Sequence, residues 1–142
     1  MTNNGLVRVF LAEDNMADVW LVEEALKRQR LEYELQHYLT AEDAVNAAMA
    51  CGFGDASLPD VMLVDFNLPR GEGRDVLIAA AQNPFLAGVP KVVISSFLRQ
   101  EEMEQSLQLG ARCIIPKPAG LNAFLKTVGT KVSELLGRPA IA

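Results

Sequence analysis

Six residues have the types and spacing to do chemistry together. Glu13 and Asp14 are adjacent, Asn67 follows Asp65 by two positions, Ser95 precedes a second serine, and Lys117 lies between Pro116 and Pro118. Singly, each has an ordinary structural explanation: a helix N-cap for Asp14, a strand-end hydroxyl for Ser95, a solvated lysine for Lys117. Gathered in one place they point elsewhere. Converging carboxylates raise one another's pKa, so a fold gains nothing from three of them without a cation. Hard oxygen donors suit Mg²⁺, which favours one or two carboxylates, several waters and a phosphate oxygen.

The elements that must bring these residues together are legible in the hydrophobic pattern. Short apolar runs alternate five times with helical stretches. Leu6 to Ala12, Tyr33 to Leu39, Val61 to Asp65, Lys91 to Ser95 and Arg112 to Ile115 read as strands. Helices are expected over Asn15–Arg28, from Ala41 to about Ala50 behind a Thr40–Asp43 capping box, and over Arg74–Gln82, Gln100–Leu109 and Leu121–Leu136. The first helix is expected to carry its core stripe on Ala17, Leu21, Ala25 and Arg28, with Val22 and Leu26 beside it and Val19 and Trp20 on the outer flank. Gly110 is expected to stop the fourth helix in a left-handed cap, Cys51–Pro59 reads as a loop, and the tail from Gly137 is expected to fray. Such alternation implies a parallel sheet covered on both faces. Ligands bind such sheets at the carboxyl ends of the strands. Glu13-Asp14, Asp65, Ser95 and Lys117 each follow or end a different strand, so they converge at that end.

Composition narrows the function classes. The 142 residues fit one domain, 1–142, with an ordered core over about 6–136. Thirteen basic against 18 acidic residues give a net charge of −5 and no dense basic patch, which argues against nucleic-acid binding. No apolar run reaches the roughly 18 residues of a membrane span, and Met-Thr-Asn-Asn-Gly does not begin a signal peptide. Cys51 and Cys113 form neither a disulfide framework nor a metal cluster. A cytoplasmic protein with reduced thiols is the expectation.

Nearly the whole chain, from about Val7 to Leu136, resembles the bacterial two-component response-regulator receivers. The resemblance is carried by Ala12-Glu13-Asp14, by Val64-Asp65-Phe66-Asn67-Leu68-Pro69 with Gly73 beyond it, by Ile94-Ser95-Ser96, and by Ile115-Pro116-Lys117-Pro118. It implies an α/β fold: a doubly wound five-stranded parallel sheet in the order 2-1-3-4-5 with five helices, a flavodoxin-like three-layer sandwich. It implies Asp65 as phosphoacceptor and a Mg²⁺ ion held by Asp14, Asp65 and the Asn67 carbonyl, with Glu13 reaching the ion mainly through water. Ser95 would bond a phosphoryl oxygen, and Lys117 would pair first with Asp65 and then with the phosphoryl group. The Lys117–Pro118 bond is a candidate for the cis isomer that is common in the family. The implied partners are a cognate histidine kinase and a downstream protein target, with a homodimer also open. No enzymatic activity is expected beyond self-phosphorylation and slow autodephosphorylation. The loop Gly52–Leu58 and the segment Gln82–Pro90 look like those of single-domain regulators that partner bacteriophytochrome-type kinases.

One departure stands out. Many receivers carry an aromatic switch residue in the fifth strand where this chain has Ile114, so the usual output mechanism is not carried over. His37, in the polar second strand, is read as a surface residue away from the cluster. Trp20 is read as an exposed docking anchor. Other classes fit less well. An aspartate-nucleophile phosphatase needs a second Asp at position 67, where Asn stands, and a dinucleotide binder needs glycines that Ala12-Glu13-Asp14-Asn15 lacks. A phosphate-independent module on the same fold usually lacks one of the acids or the lysine.

Overall fold

The computed structural model describes residues 5–54 and 56–141. The first four residues, one position of the Cys51–Pro59 loop and Ala142 lie outside the described residues. In chain order the elements are β1 (Leu6–Ala12), α1 (Met16–Arg28), β2 (Glu32–Tyr38), α2 (Ala41–Ala50), β3 (Val61–Asp65), α3 (Gly73–Gln82), a 3-10 turn (Pro84–Leu86), β4 (Lys91–Ser95), α4 (Gln100–Gln108), β5 (Ala111–Pro116) and α5 (Leu121–Leu135). All strand pairs are parallel, and the sheet order is β2-β1-β3-β4-β5, as expected.

The core follows the strand period of two. On β1 and β3, Val7, Val9, Leu11, Val61 and Leu63 face α1 and α5, where they meet Val22, Leu26, Phe124 and Val128. The alternate residues Phe10, Ala12, Met62 and Val64 face α2 and α3. A smaller cluster of Phe66, Leu77, Val93 and Ala111 packs with Leu98 and Leu109 towards α4. β3 and β4 are buried along their whole length, which is why they read as continuous apolar runs.

Two local signals act where the sequence placed them, and one shifts by a residue. Asn15, not Asp14, caps α1, its Oδ1 accepting from the N–H groups of Ala17 (2.9 Å) and Asp18 (3.3 Å). The Thr40 hydroxyl accepts from the Asp43 N–H at 3.1 Å. Gly110 follows α4 with φ +103°, the left-handed cap that ends a helix. Both cysteines are free, Cys51 buried and Cys113 half-buried.

Four expectations change. The buried stripe of α1 is Val19, Val22, Ala25 and Leu26, with Gln29 beyond it, while Ala17 and Arg28 are exposed and Leu21 is only half-buried. The helix is rotated because it is wedged between the sheet and α5, and both must be covered at once. The tail does not fray: the Gln29 carboxamide accepts from the Ile141 N–H at 2.7 Å and donates to the Ile141 carbonyl at 2.8 Å. The Lys117–Pro118 bond is trans, no cis peptide occurring among the described residues. Trans is the lower-energy isomer even for X–Pro bonds, and the lysine reaches its partners from it. Finally, the half-buried His37 ring adjoins the cluster, with Nε2 2.7 Å from the Glu13 carbonyl oxygen. Parallel pairing sets Ala12 opposite Tyr38, one residue beyond His37, so this end of β2 reaches the turn after β1.

Candidate functional site

Strand register assembles the site. Ala12 pairs with Val64, so Glu13 and Asp65 come next on adjacent strands, and Asp65 pairs with Ile94, which places Ser95 one step beyond. Ser95 pairs with Pro116, and the Lys117 N–H donates to the Ser95 carbonyl at 2.7 Å. Four strand ends thus deliver Glu13, Asp65, Ser95 and Lys117 to one edge of the sheet.

Lys117 is the hub. Its Nζ lies 2.7 Å from Asp18 Oδ2, 2.8 Å from Asp65 Oδ2 and 2.9 Å from Glu13 Oε1. An ammonium has three N–H donors, and here all three meet carboxylates. Burial works against the charge, but the hydrogen bonds to Asp18, Asp65 and Glu13 outweigh it and hold the lysine pKa above its usual value. Glu13 is 3% exposed and is pushed up to about 7: burial is the largest cause and the charge of Asp65 adds to it, against the Lys117 and Asn15 hydrogen bonds. The Asn15 N–H donates to Glu13 Oε2 at 3.1 Å. The Glu13 carbonyl accepts from His37, so the whole turn bearing Glu13 and Asp14 is held.

Asp65 Oδ1 accepts from the Asn67 N–H at 2.9 Å, which fixes the carboxylate plane. The Asn67 carboxamide donates to Ser95 Oγ at 3.0 Å, and that hydroxyl donates to the Phe97 carbonyl at 3.1 Å. Ile114 is half-buried and lines, with Leu98 and Met103, a cavity of about 250 Å³ beside Ser95. Below Asp65, the chain turns so tightly that the Gly73 N–H donates to the Phe66 carbonyl at 2.8 Å. A Cβ at position 73 would stand 2.2 Å from the Asp65 carbonyl oxygen. Glycine is required there by contact with backbone.

The donor set fits a divalent cation. Glu13, Asp14 and Asp65 each offer a carboxylate oxygen, all within 4.8 Å of one another. Glu13 and Asp65 are buried while Asp14 is exposed, so one side of the cluster remains open to water and to a phosphate oxygen. Counting Asp18, four carboxylates face one ammonium, a formal charge of −3 if all are ionised. A divalent ion would relieve the repulsion that one lysine cannot.

All six expected site residues therefore meet at one place. Asp18 was not anticipated. Its signal in the sequence is weak: it lies four residues after Asp14, one helical turn on, among several polar positions of an amphipathic helix.

Comparison with known proteins agrees with this geometry. The family profile of the response regulator receiver domain matches residues 9–129. Response regulator Rcp1 of Synechocystis sp. is 33% identical over 125 residues, covering 84% of this chain and 82% of that protein. The solved structure of the phosphorylated cyanobacterial phytochrome response regulator RcpA superposes with a TM-score of 0.84 at 30% identity, covering 96% of this chain and 98% of that one. The Mn²⁺-bound form of Rcp1 gives a TM-score of 0.82 at 29% identity, with 96% and 99% covered.

Proposed function

Because the chain belongs to the response regulator receiver domain family, we propose that it acts as a phosphorylated signalling switch with Asp65 as the phosphoacceptor. The observation that carries this is the Lys117 ammonium, 2.8 Å from Asp65 Oδ2, beside carboxylates of Glu13 and Asp14 that reach a common point with Asp65.

The donor set suits Mg²⁺, with Asp14, Asp65 and the Asn67 carbonyl as ligands and Glu13 acting mainly through water. When bound, such an ion supplies positive charge that offsets the repulsion between a carboxylate and a phosphoryl group. The remaining steps belong to the chain. A carboxylate oxygen of Asp65 attacks the phosphorus of a phosphohistidine; the P–N bond breaks and its electrons leave with the imidazole. Lys117 moves from Asp65 Oδ2 to a developing phosphoryl oxygen and carries part of its charge. Ser95 releases the Phe97 carbonyl and donates to a second oxygen. Hydrolysis of the acyl phosphate ends the signal, so the protein turns over no separate substrate.

The likeness to Rcp1 and RcpA supports a phytochrome-type histidine kinase as donor. Trp20 is 53% exposed on α1, with Met16 one turn before it, and we read this flank as the kinase docking surface. We read residues 1–142 as a single receiver domain working in the cytoplasm. The output passes to another protein, with pairing to a second copy one form it takes. No helix among the described residues is long and apolar enough to cross a membrane.

The test is direct. Incubated with acetyl phosphate and Mg²⁺, the protein gains one acid-stable, base-labile phosphoryl group, and Asp65→Asn abolishes it. Label that persists on Asp65→Asn overturns the assignment.

A further inference from the structure

The three acids around Lys117 are not equivalent. Glu13 and Asp65 belong to the group whose oxygens gather within 4.8 Å around a prospective cation; Asp18 stands outside it. Yet Asp18 makes the shortest of the three contacts, 2.7 Å. It is also firmly placed. Asp18 lies in the first turn of α1, its N–H bonded to the capping Asn15 side chain, and its carboxylate is 20% exposed.

A cation entering the cluster draws on the same oxygens that hold the ammonium, and the two positive charges repel. Were Glu13 and Asp65 the lysine's only acceptors, each metal-binding event would leave an ammonium, 11% exposed, without adequate partners. We propose that Asp18 is a positioning residue for Lys117: it retains the ammonium at the rim of the site while a divalent cation takes Asp14 and Asp65 directly and Glu13 mainly through water, so that both cations occupy the site together. The inference rests on the metal reading above and adds a residue that acts on the ion only through the lysine.

Such outer partners commonly change metal affinity by 10-fold or more when removed, about the size expected here. The measurement is Mn²⁺ titration of the full chain without phosphodonor, with free Mn²⁺ read by electron paramagnetic resonance. Wild type is expected to bind one ion, and Asp18→Asn to bind about tenfold more weakly. Lys117→Met is expected to bind at least as tightly as wild type, and the double variant to stay within about twofold of Lys117→Met, because no ammonium remains to be held. An Asp18→Asn affinity equal to wild type overturns the proposal. So does an undiminished loss in the Lys117→Met background, which would make Asp18 merely a nearby negative charge. Equal binding by wild type and Asp14→Asn, or no binding at all, removes the metal reading itself and this inference with it.

Should Lys117→Met fail to fold, the side-chain ammonium signal of Lys117 in nitrogen-15 magnetic resonance decides the matter. With saturating Mg²⁺ it is expected to persist in wild type, where Asp18 slows proton exchange, and to vanish in Asp18→Asn. Its persistence in Asp18→Asn refutes the role.

Discussion

Gly73→Ala is a perturbation whose size the structure sets. The added Cβ would fall 2.6 Å from Phe66 Cα and 2.2 Å from the Asp65 carbonyl oxygen, the latter about 1.2 Å short of the 3.4 Å at which ordinary contact begins. Both obstacles are backbone, so no rotamer change relieves them. β3 is hydrogen-bonded on both sides, to β1 and β4, and the first turn of α3 must therefore take most of the movement. A shift of that size breaks the bond from the Gly73 N–H to the Phe66 carbonyl, worth about 1 kcal/mol. Overpacking adds about 1–3 kcal/mol, and the better helix propensity of alanine returns up to about 1 kcal/mol. The expected net loss is about 1–4 kcal/mol, or roughly 3–12 °C in melting temperature for a chain of this length. Residual strain falls on Asp65 itself. Misplacement by about 1 Å costs on the order of a hundredfold in rate, so acetyl-phosphate labelling should slow ten- to a hundredfold even well below the melting point. Gly88→Ala is the control, since its Cβ meets nothing within 4 Å and no positive φ is involved. Unchanged melting and labelling in Gly73→Ala would refute the reasoning.

Two further outcomes follow from named contacts. Trp20→Ala should leave acetyl-phosphate labelling intact but slow transfer from the cognate phosphohistidine kinase at least tenfold, a loss of about 1.4 kcal/mol or more; equal transfer rates would reduce Trp20 to packing. Gln29→Leu should remove both bonds to Ile141 and leave the buried Ser133 hydroxyl without its 3.0 Å acceptor, costing about 1–3 kcal/mol. Hydrogen exchange at residues 138–141 should accelerate in that variant, and exchange at the wild-type rate would show that the tail is held by something else.

The sequence by itself determined the strands, the helices and the convergence of Glu13, Asp14, Asp65, Asn67, Ser95 and Lys117. Strand and helix periods differ enough to be told apart locally, and in a parallel α/β sheet every strand's carboxyl end lies on one side. Acids, a hydroxyl and a lysine at those ends needed no knowledge of packing to be grouped. Gly73 was visible as part of a motif, but its reason was not, because the obstructing atoms belong to residues 65 and 66 across a turn. Tertiary structure alone decided the rotation of α1. Two overlapping apolar stripes run along that helix, and the simultaneous demands of the sheet and α5 bury Val19 rather than Ala17. It also decided which acids the lysine meets: Asp18 is 99 residues from Lys117 in sequence. The same holds for the Gln29 grip on Ile141, 112 residues away, and for His37 against the Glu13 carbonyl. Periodicity reports which side of an element is apolar; a polar side chain's partner depends on what the rest of the chain brings opposite it.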